Sequence, residues 1–346
     1  MRRTLLLLVA VASASLAPIS ATPAGAGGIP ALVYTGGSNL ARTATAGGSD
    51  VTEVSNLEVF ASIGDGVLVG SRPTTSGQRD NVVGFDGATG TKLFTLKDGR
   101  FPLAAGGAVV FQPDFNGAGA GDRDPTVNSL WYYDIGIAAT HRIVQFHGGD
   151  RAPLHTAISP NGRRVAAAEG NDVDLFVSDI WVMRTDVHKV TRLTRNGRSW
   201  YPSFNPGGTK IAFMSKNGVH GCSASIRVMD SDGTHNHLVR GGSCHNELLR
   251  PVWLDADTLV AWRWTEAGGP RGLVTIDVAT GDQAPLVSGA VVDFSVSRTL
   301  GSIVYRLADD TVAIYDVGGA TTTPVPGGTD LPGGKVFMEG ALELAY

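Results

Sequence analysis

A short apolar run that ends at a polar turn recurs along this chain at a spacing of about 47 residues. The copies read Leu32-Val33-Tyr34-Thr35, Val83-Gly84-Phe85-Asp86, Trp131-Tyr132-Tyr133-Asp134, Trp181-Val182-Met183-Arg184, Arg227-Val228-Met229-Asp230, Val274-Thr275-Ile276-Asp277 and Ala313-Ile314-Tyr315-Asp316. Runs of this length, rich in β-branched and aromatic residues and bounded by Gly, Asp and Asn, predict short strands, and helical periodicity is missing throughout. Several short strands per repeat, at a period of roughly 40–50 residues, predict a β-propeller of four-stranded blades around a central channel.

One repeat shows how the pattern makes a blade. Thr156 to Ser159 predicts a first strand, Pro160-Asn161-Gly162-Arg163 a turn, and Arg164 to Ala168 a second strand of small residues suited to a crowded interior. Ile180 to Met183 predicts the third strand and Val190 to Leu193 the half-exposed outer one. The next repeat restates the scheme with Pro202-Ser203-Phe204-Asn205-Pro206-Gly207-Gly208, Lys210 to Met214, Ile226 to Met229 and His237 to Val239.

Leu32 to Thr35 and Leu40 to Thr45 read as the third and fourth strands of a blade whose first two are missing, and Lys335 to Met338 and Ala341 to Ala345 are candidates to supply them. A ring joined by strands from both termini leaves no unpaired edge. The expectation is an all-β propeller of seven four-stranded blades, six continuous and one composite, with six blades plus extra terminal strands as the alternative.

The first residues read as a targeting segment. Arg2 and Arg3 form a cationic start, Thr4 to Leu16 is an apolar or small-residue run, and Ala24-Gly25-Ala26 is a cleavage-type sequence, with Ala21 as second choice. The run is shorter than the roughly 20 residues a membrane span needs. Residues 1–26 are therefore expected to be a signal peptide and residues 27–346 a single propeller domain, exported or secreted, without a membrane span and monomeric. The net charge of −4 is small for this length and excludes a nucleic-acid partner. Cys222 and Cys244 are the only cysteines, an even count that reads as one disulfide in an exported chain.

The phrases Ile158-Ser159-Pro160-Asn161-Gly162-Arg163-Arg164-Val165-Ala166, Pro202-Ser203-Phe204-Asn205-Pro206-Gly207-Gly208-Thr209-Lys210-Ile211-Ala212-Phe213 and Val228-Met229-Asp230-Ser231-Asp232-Gly233 resemble the TolB-like, WD-type propeller repeat of bacterial periplasmic and secreted proteins. The likeness is strong from Thr156 to Arg240, fair around Pro251-Val252-Trp253 and weak elsewhere. It implies a propeller and no reaction. The α/β domain that precedes the TolB propeller has no counterpart in the sequence, and neither has the hydrolase domain of prolyl oligopeptidase-like enzymes or a G-x-S-x-G nucleophile motif.

Aligning the repeats on Ile158, Phe204 and Trp253 places His155, Tyr201 and Arg250 at one level, with Phe101 as the matching residue one blade earlier and Trp200 beside them. A ring of different side chains around one opening is a candidate binding mouth. Trp131, Trp181, Trp253, Trp262 and Trp264 fall inside strands and read as blade core. Asp114, Asn116 and Asp122 follow the spacing of a calcium loop, but Ala118 stands where a further oxygen ligand belongs, and no other cofactor motif is present. His235 and His237 have alternate spacing that would point both the same way on a strand, without an acidic or Cys partner nearby in sequence. With no catalytic set converging, the sequence favours a non-catalytic binder of a protein or glycan partner. A propeller-type carbohydrate-active enzyme of the polysaccharide lyase kind is the alternative, which some TolB-like propellers imply through a metal held by clustered His.

If Cys222 and Cys244 pair, the intact protein gains about two mass units on reduction, and the closed loop stabilises it by roughly 3 kcal/mol in the chain-entropy view. Mass spectrometry with and without reductant checks this; an unchanged mass would mean two thiols.

Overall fold

Each repeat turns on residues whose side chains complete the backbone's hydrogen bonds. The carboxamide oxygen of Asn161 accepts from the Ser159 hydroxyl at 2.9 Å and from the Arg163 amide at 3.1 Å. Gly162 then takes a left-handed φ of 69°. A Cβ there would lie 2.5 Å from the carbonyl oxygen of Ala105 in the preceding repeat, so this glycine also fixes how closely two blades approach. Asn205 repeats the device, its side-chain oxygen accepting from the amides of Thr209 at 2.8 Å and Lys210 at 2.9 Å.

The computed structural model describes residues 32–36, 40–44, 51–55, 58–64, 67–73, 80–86, 91–113, 129–145, 151–171, 174–187, 189–216, 223–265, 269–298, 300–325 and 335–338. Among them every strand belongs to a four-stranded antiparallel sheet. Six blades are built from contiguous chain, over 58–96, 99–145, 151–192, 199–240, 247–288 and 291–324, and are called blades 1 to 6 in that order. The four remaining strands, ordered Lys335–Met338, Leu32–Gly36, Leu40–Ala44 and Val51–Ser55, form a closing sheet. It lies between blade 6 and blade 1, because Lys335–Met338 contacts the first strands of both. The first strands of successive blades touch in turn and so ring the central channel.

The expected seven-bladed closure is corrected here. The propeller has six four-stranded blades, not seven, the arrangement held as the alternative, and the extra terminal strands form a closing sheet of one C-terminal strand with three N-terminal ones rather than two from each end. Leu32 to Thr35, read as a third strand, is the second: Leu32 pairs with Met338 on one side and with Ala44 on the other. The reason is Val51–Ser55, which pairs along Leu40–Ala44 as the outer strand and leaves only the innermost place for the C-terminal segment. The candidate strand Ala341 to Ala345 lies outside the described residues.

Burial follows position in the blade. In blade 3 the second-strand residues Val165, Ala166, Ala167 and Ala168 are fully buried, small enough for both faces to be covered by neighbouring sheets. Larger side chains fill the wedges: Phe204 and Phe213 between blades 3 and 4, Trp253 between blades 4 and 5, and Phe294 between blades 5 and 6. The outer strand of blade 6, Thr321–Pro324, is exposed throughout and ends in a proline that cannot extend a ladder. Of the strand tryptophans only Trp253 is fully buried; Trp131, Trp181, Trp262 and Trp264 are half-buried.

Polar links tie blade to blade. The Trp253 indole donates to the Ser203 carbonyl at 3.1 Å, and the Arg298 guanidinium donates to the Trp253 carbonyl at 2.9 Å, so one residue bridges blades 4, 5 and 6. In blade 3 the buried Asp179 carboxylate pairs with Arg192 and accepts from the Thr194 hydroxyl at 2.9 Å and the amides of Asn196 and Gly197 at 3.0 and 3.1 Å. That network fixes the outer strand and the connection into blade 4 together.

Trp253→Ala is expected to cost about 3–5 kcal/mol and Trp253→Phe about 1–2 kcal/mol, the second because the Ser203 carbonyl loses its buried donor. Urea unfolding of the two variants measures this, and an unchanged stability in Trp253→Phe would show that the indole nitrogen contributes nothing.

Candidate functional site

The first strand of a blade does not run straight past the channel. Its ladder slips between Arg100 and Leu103 in blade 2, Leu154 and Thr156 in blade 3, Trp200 and Ser203 in blade 4, and Leu249 and Val252 in blade 5. Each slip contains a non-glycine residue in the left-handed region: Phe101 at φ 50°, His155 at 43°, Tyr201 at 51° and Arg250 at 48°. Pro102, Pro202 and Pro251 follow three of them, and a bulge is where a strand tolerates a residue with no amide to donate. Left-handed backbone costs a residue with a Cβ roughly 1–2 kcal/mol, so four equivalent strained positions on four consecutive blades make the bulge the candidate site.

His155, Tyr201 and Arg250, aligned in the sequence, adjoin in space on consecutive blades. The imidazole of His155 meets the Tyr201 ring at 3.8 Å between centroids, tilted by 37°. Burial, with the nearby Arg250 charge as a second cause, pulls the His155 pKa down to about 4, so the ring is neutral at pH 7. Burial pushes the Tyr201 phenol up, against a smaller opposing pull from Arg250, so it keeps its proton. Arg250 donates from Nη1 to Oδ1 of Asp293 at 2.8 Å, both residues being 6% exposed, and its guanidinium carbon lies 4.6 Å from the centre of the Phe294 ring. The Arg250 Nε is buried without a hydrogen-bond partner among the described residues.

Trp200 is 5% exposed and packs with Met214 and Ala224, with Tyr201 and Leu249 against that cluster. Its ring therefore packs behind Tyr201, whose own ring meets His155. Phe101, one blade before His155, carries the Arg100 guanidinium 5.1 Å from its ring centre. Asp293 and Phe294 are site residues that the repeat alignment missed. A lone acid inside the apolar run Val291-Val292-Asp293-Phe294 was the available signal, because a buried charge requires a partner.

Other sequence candidates fall elsewhere. Asp114, Asn116, Asp122, His220 and Cys222 lie outside the described residues; Cys244 sits in the turn between His237–Arg240 and Glu247–Trp253. His235 is not on a strand with His237 but precedes it at a positive φ of 53°, its Nδ1 2.6 Å from Asp230. Among the described residues no group of three or more His, Cys, Asp or Glu is placed to hold a metal ion. A separate groove of about 330 Å³ between blades 1 and 2, lined by Leu96, Lys97, Phe111 and Trp131 among others, holds none of the four bulge residues, though Asp98 in its lining is also left-handed, at φ 53°.

No protein-family model matches the chain, and a search of curated proteins finds no match. Solved structures share its architecture. An oligogalacturonate lyase in complex with manganese is similar at a TM-score of 0.60 and 14% identity, over 84% of this chain and 82% of that one. TolB from Acinetobacter baumannii is similar at 0.53 and 15% identity, over 78% and 64%. The tricorn protease reaches 0.60 and 13% identity over 90% of this chain, which spans only 35% of the protease's length. At such identities these likenesses establish the propeller fold.

Two outcomes follow from the site's electrostatics. His155 has its pKa lowered from 6.5 to about 4, so the unfolded chain takes up the proton first as pH falls. Stability present above the unfolded value is therefore lost as pH drops through the folded one, by roughly 1–3 kcal/mol after discounting for channel water. Urea unfolding at pH 7.5 and pH 4 should show a smaller acid loss in His155→Gln than in the wild type; equal losses would refute the assignment. Arg250→Met should cost roughly 3 kcal/mol because it leaves Asp293 buried without its ion pair, and a double-mutant cycle with Asp293→Asn should give a coupling above about 1 kcal/mol.

Proposed function

We propose that this chain is an exported, non-catalytic binding propeller whose partner engages the channel mouth at Phe101, His155, Tyr201 and Arg250. The observation that carries the reading is the repeated left-handed bulge, which presents four different side chains at one level on four consecutive blades. A site built on strands is held more firmly than one built on loops, and rigid presentation lowers the entropic cost of binding. The cationic start and apolar run of residues 1–16 support export, and with export the Cys222–Cys244 disulfide.

The lyase reading rests on architectural likeness. A metal in this mouth needs a cluster of neutral imidazoles or carboxylates. His155 instead has a tyrosine ring on one side and the Arg250 charge nearby, which repels a cation. These residues do not fit a manganese centre, and the mouth's chemistry favours recognition over elimination chemistry.

Tyr201→Gly tests the proposal, since it deletes the ring while relieving the left-handed backbone; the lost packing outweighs that relief by about 1–3 kcal/mol, so urea unfolding is run first to show that the variant is folded. Capture of a partner from envelope or culture-medium extract should fall at least about tenfold. Unchanged capture of the same partner by a folded Tyr201→Gly variant would count against the mouth.

A further inference from the structure

The groove between blades 1 and 2 is a concave site apart from the channel mouth. Phe94 and Leu96 of blade 1 pack there into one apolar cluster with Phe111, Tyr133 and Trp131 of blade 2. Thr95 and Leu96 end the outer strand Lys92–Leu96, and Lys97 and Asp98 form the turn into blade 2. At about 330 Å³ the groove lies at the lower end of the range for small-molecule sites, roughly 300–1,000 Å³. Blade 3 shows how the equivalent tryptophan is covered. Trp181 pairs across the ladder with Arg192, whose guanidinium carbon stands 5.7 Å from the centre of the indole. In blade 2 the same register sets Trp131 opposite Arg142, but that guanidinium donates to Oε1 of Gln145 at 2.6 Å. Among the described residues no cation stands over the Trp131 ring, and its N–H is already used, donating to the Ser129 hydroxyl at 3.2 Å. Lys97, in the groove's lining, is exposed and makes no hydrogen bond or ion pair among the described residues. Its neighbour Asp98 is engaged within the protein, its amide donating to Oδ1 of Asn81 at 3.0 Å.

We propose that this groove binds a small aromatic carboxylate, with its ring against Trp131 and Leu96 and its carboxylate at the Lys97 ammonium. Leu96, Phe111, Pro113 and Trp131 make the walls apolar, so the body of the ligand gains by leaving water. A ring gains more than an alkyl chain beside Trp131, because offset and edge-to-face contacts add to the area buried. The Lys97 charge selects an anion, which receives a charge-assisted hydrogen bond from it. The same charge turns away the cation that a bare indole would otherwise attract. The volume suits a molecule of one or two rings. None of the bulge residues lines the groove, so this site and the channel mouth stand or fall independently.

Calorimetric titration of the full mature protein at pH 7.5 with 3-phenylpropionate and indole-3-acetate, against their amides, tryptamine and hexanoate, tests this. At least one of the two acids should bind with a Kd of about 1 mM or tighter. It should bind roughly fivefold tighter than its own amide, and tighter than tryptamine or hexanoate. In Lys97→Met the acid should lose roughly fivefold while the amide keeps its affinity, a split that a folding defect does not produce. In Trp131→Leu the acid and the amide should both weaken. The proposal is overturned if neither acid binds up to about 10 mM, if an amide or tryptamine binds as tightly as the acid, or if either variant leaves the acid's affinity intact. Hexanoate binding as tightly as the aromatic acids would overturn the aromatic part of it.

Discussion

A propeller survives only if every sheet face meets another sheet, and the pairing of Lys335–Met338 with Leu32–Gly36 is where this chain meets that requirement. Without that antiparallel contact, blade 6 and blade 1 would each present an apolar face to water, and the ring would have two open ends. Because the contact joins segments some three hundred residues apart, it carries the largest loop-closure cost in the molecule. The packing of blade on blade offsets it through wedges filled by Phe204, Trp253 and Phe294.

Closure also dictates where a site can form. Strands that crowd around an axis must bend, and here four of them bend at a bulge with a left-handed residue. Strain thus recurs at equivalent residues, and His155, Tyr201 and Arg250 become neighbours although each lies on a different sheet.

The electrostatics of that opening come from burial rather than from charge count. His155 loses its proton because the ring is poorly solvated beside Arg250, and Arg250 is tolerable there because Asp293 pairs with it. Trp200 contributes from behind, packing against Met214 and supporting Tyr201 without reaching the mouth itself. The result is a pair of packed rings beside one internally compensated ion pair.

The repeat of apolar runs and Asn-Gly or Gly-Gly turns located the strands of blades 3 and 4, because turn chemistry and alternation act within a few residues of chain, although the first and third strands of blade 3 start five and six residues earlier than the pattern marks. The level of His155, Tyr201 and Arg250 was legible for the same reason: equivalent positions in a repeat occupy equivalent places. The make-up of the closing sheet was not, since Val51–Ser55 becomes an outer strand only through the ladder beside it. Asp293 was likewise out of reach, because its meaning lies in a guanidinium on another blade. Local order is written residue by residue in the sequence; ring closure and the pairing of buried charges are decided by which distant surfaces the fold brings within a few ångströms, and only the tertiary structure contains that.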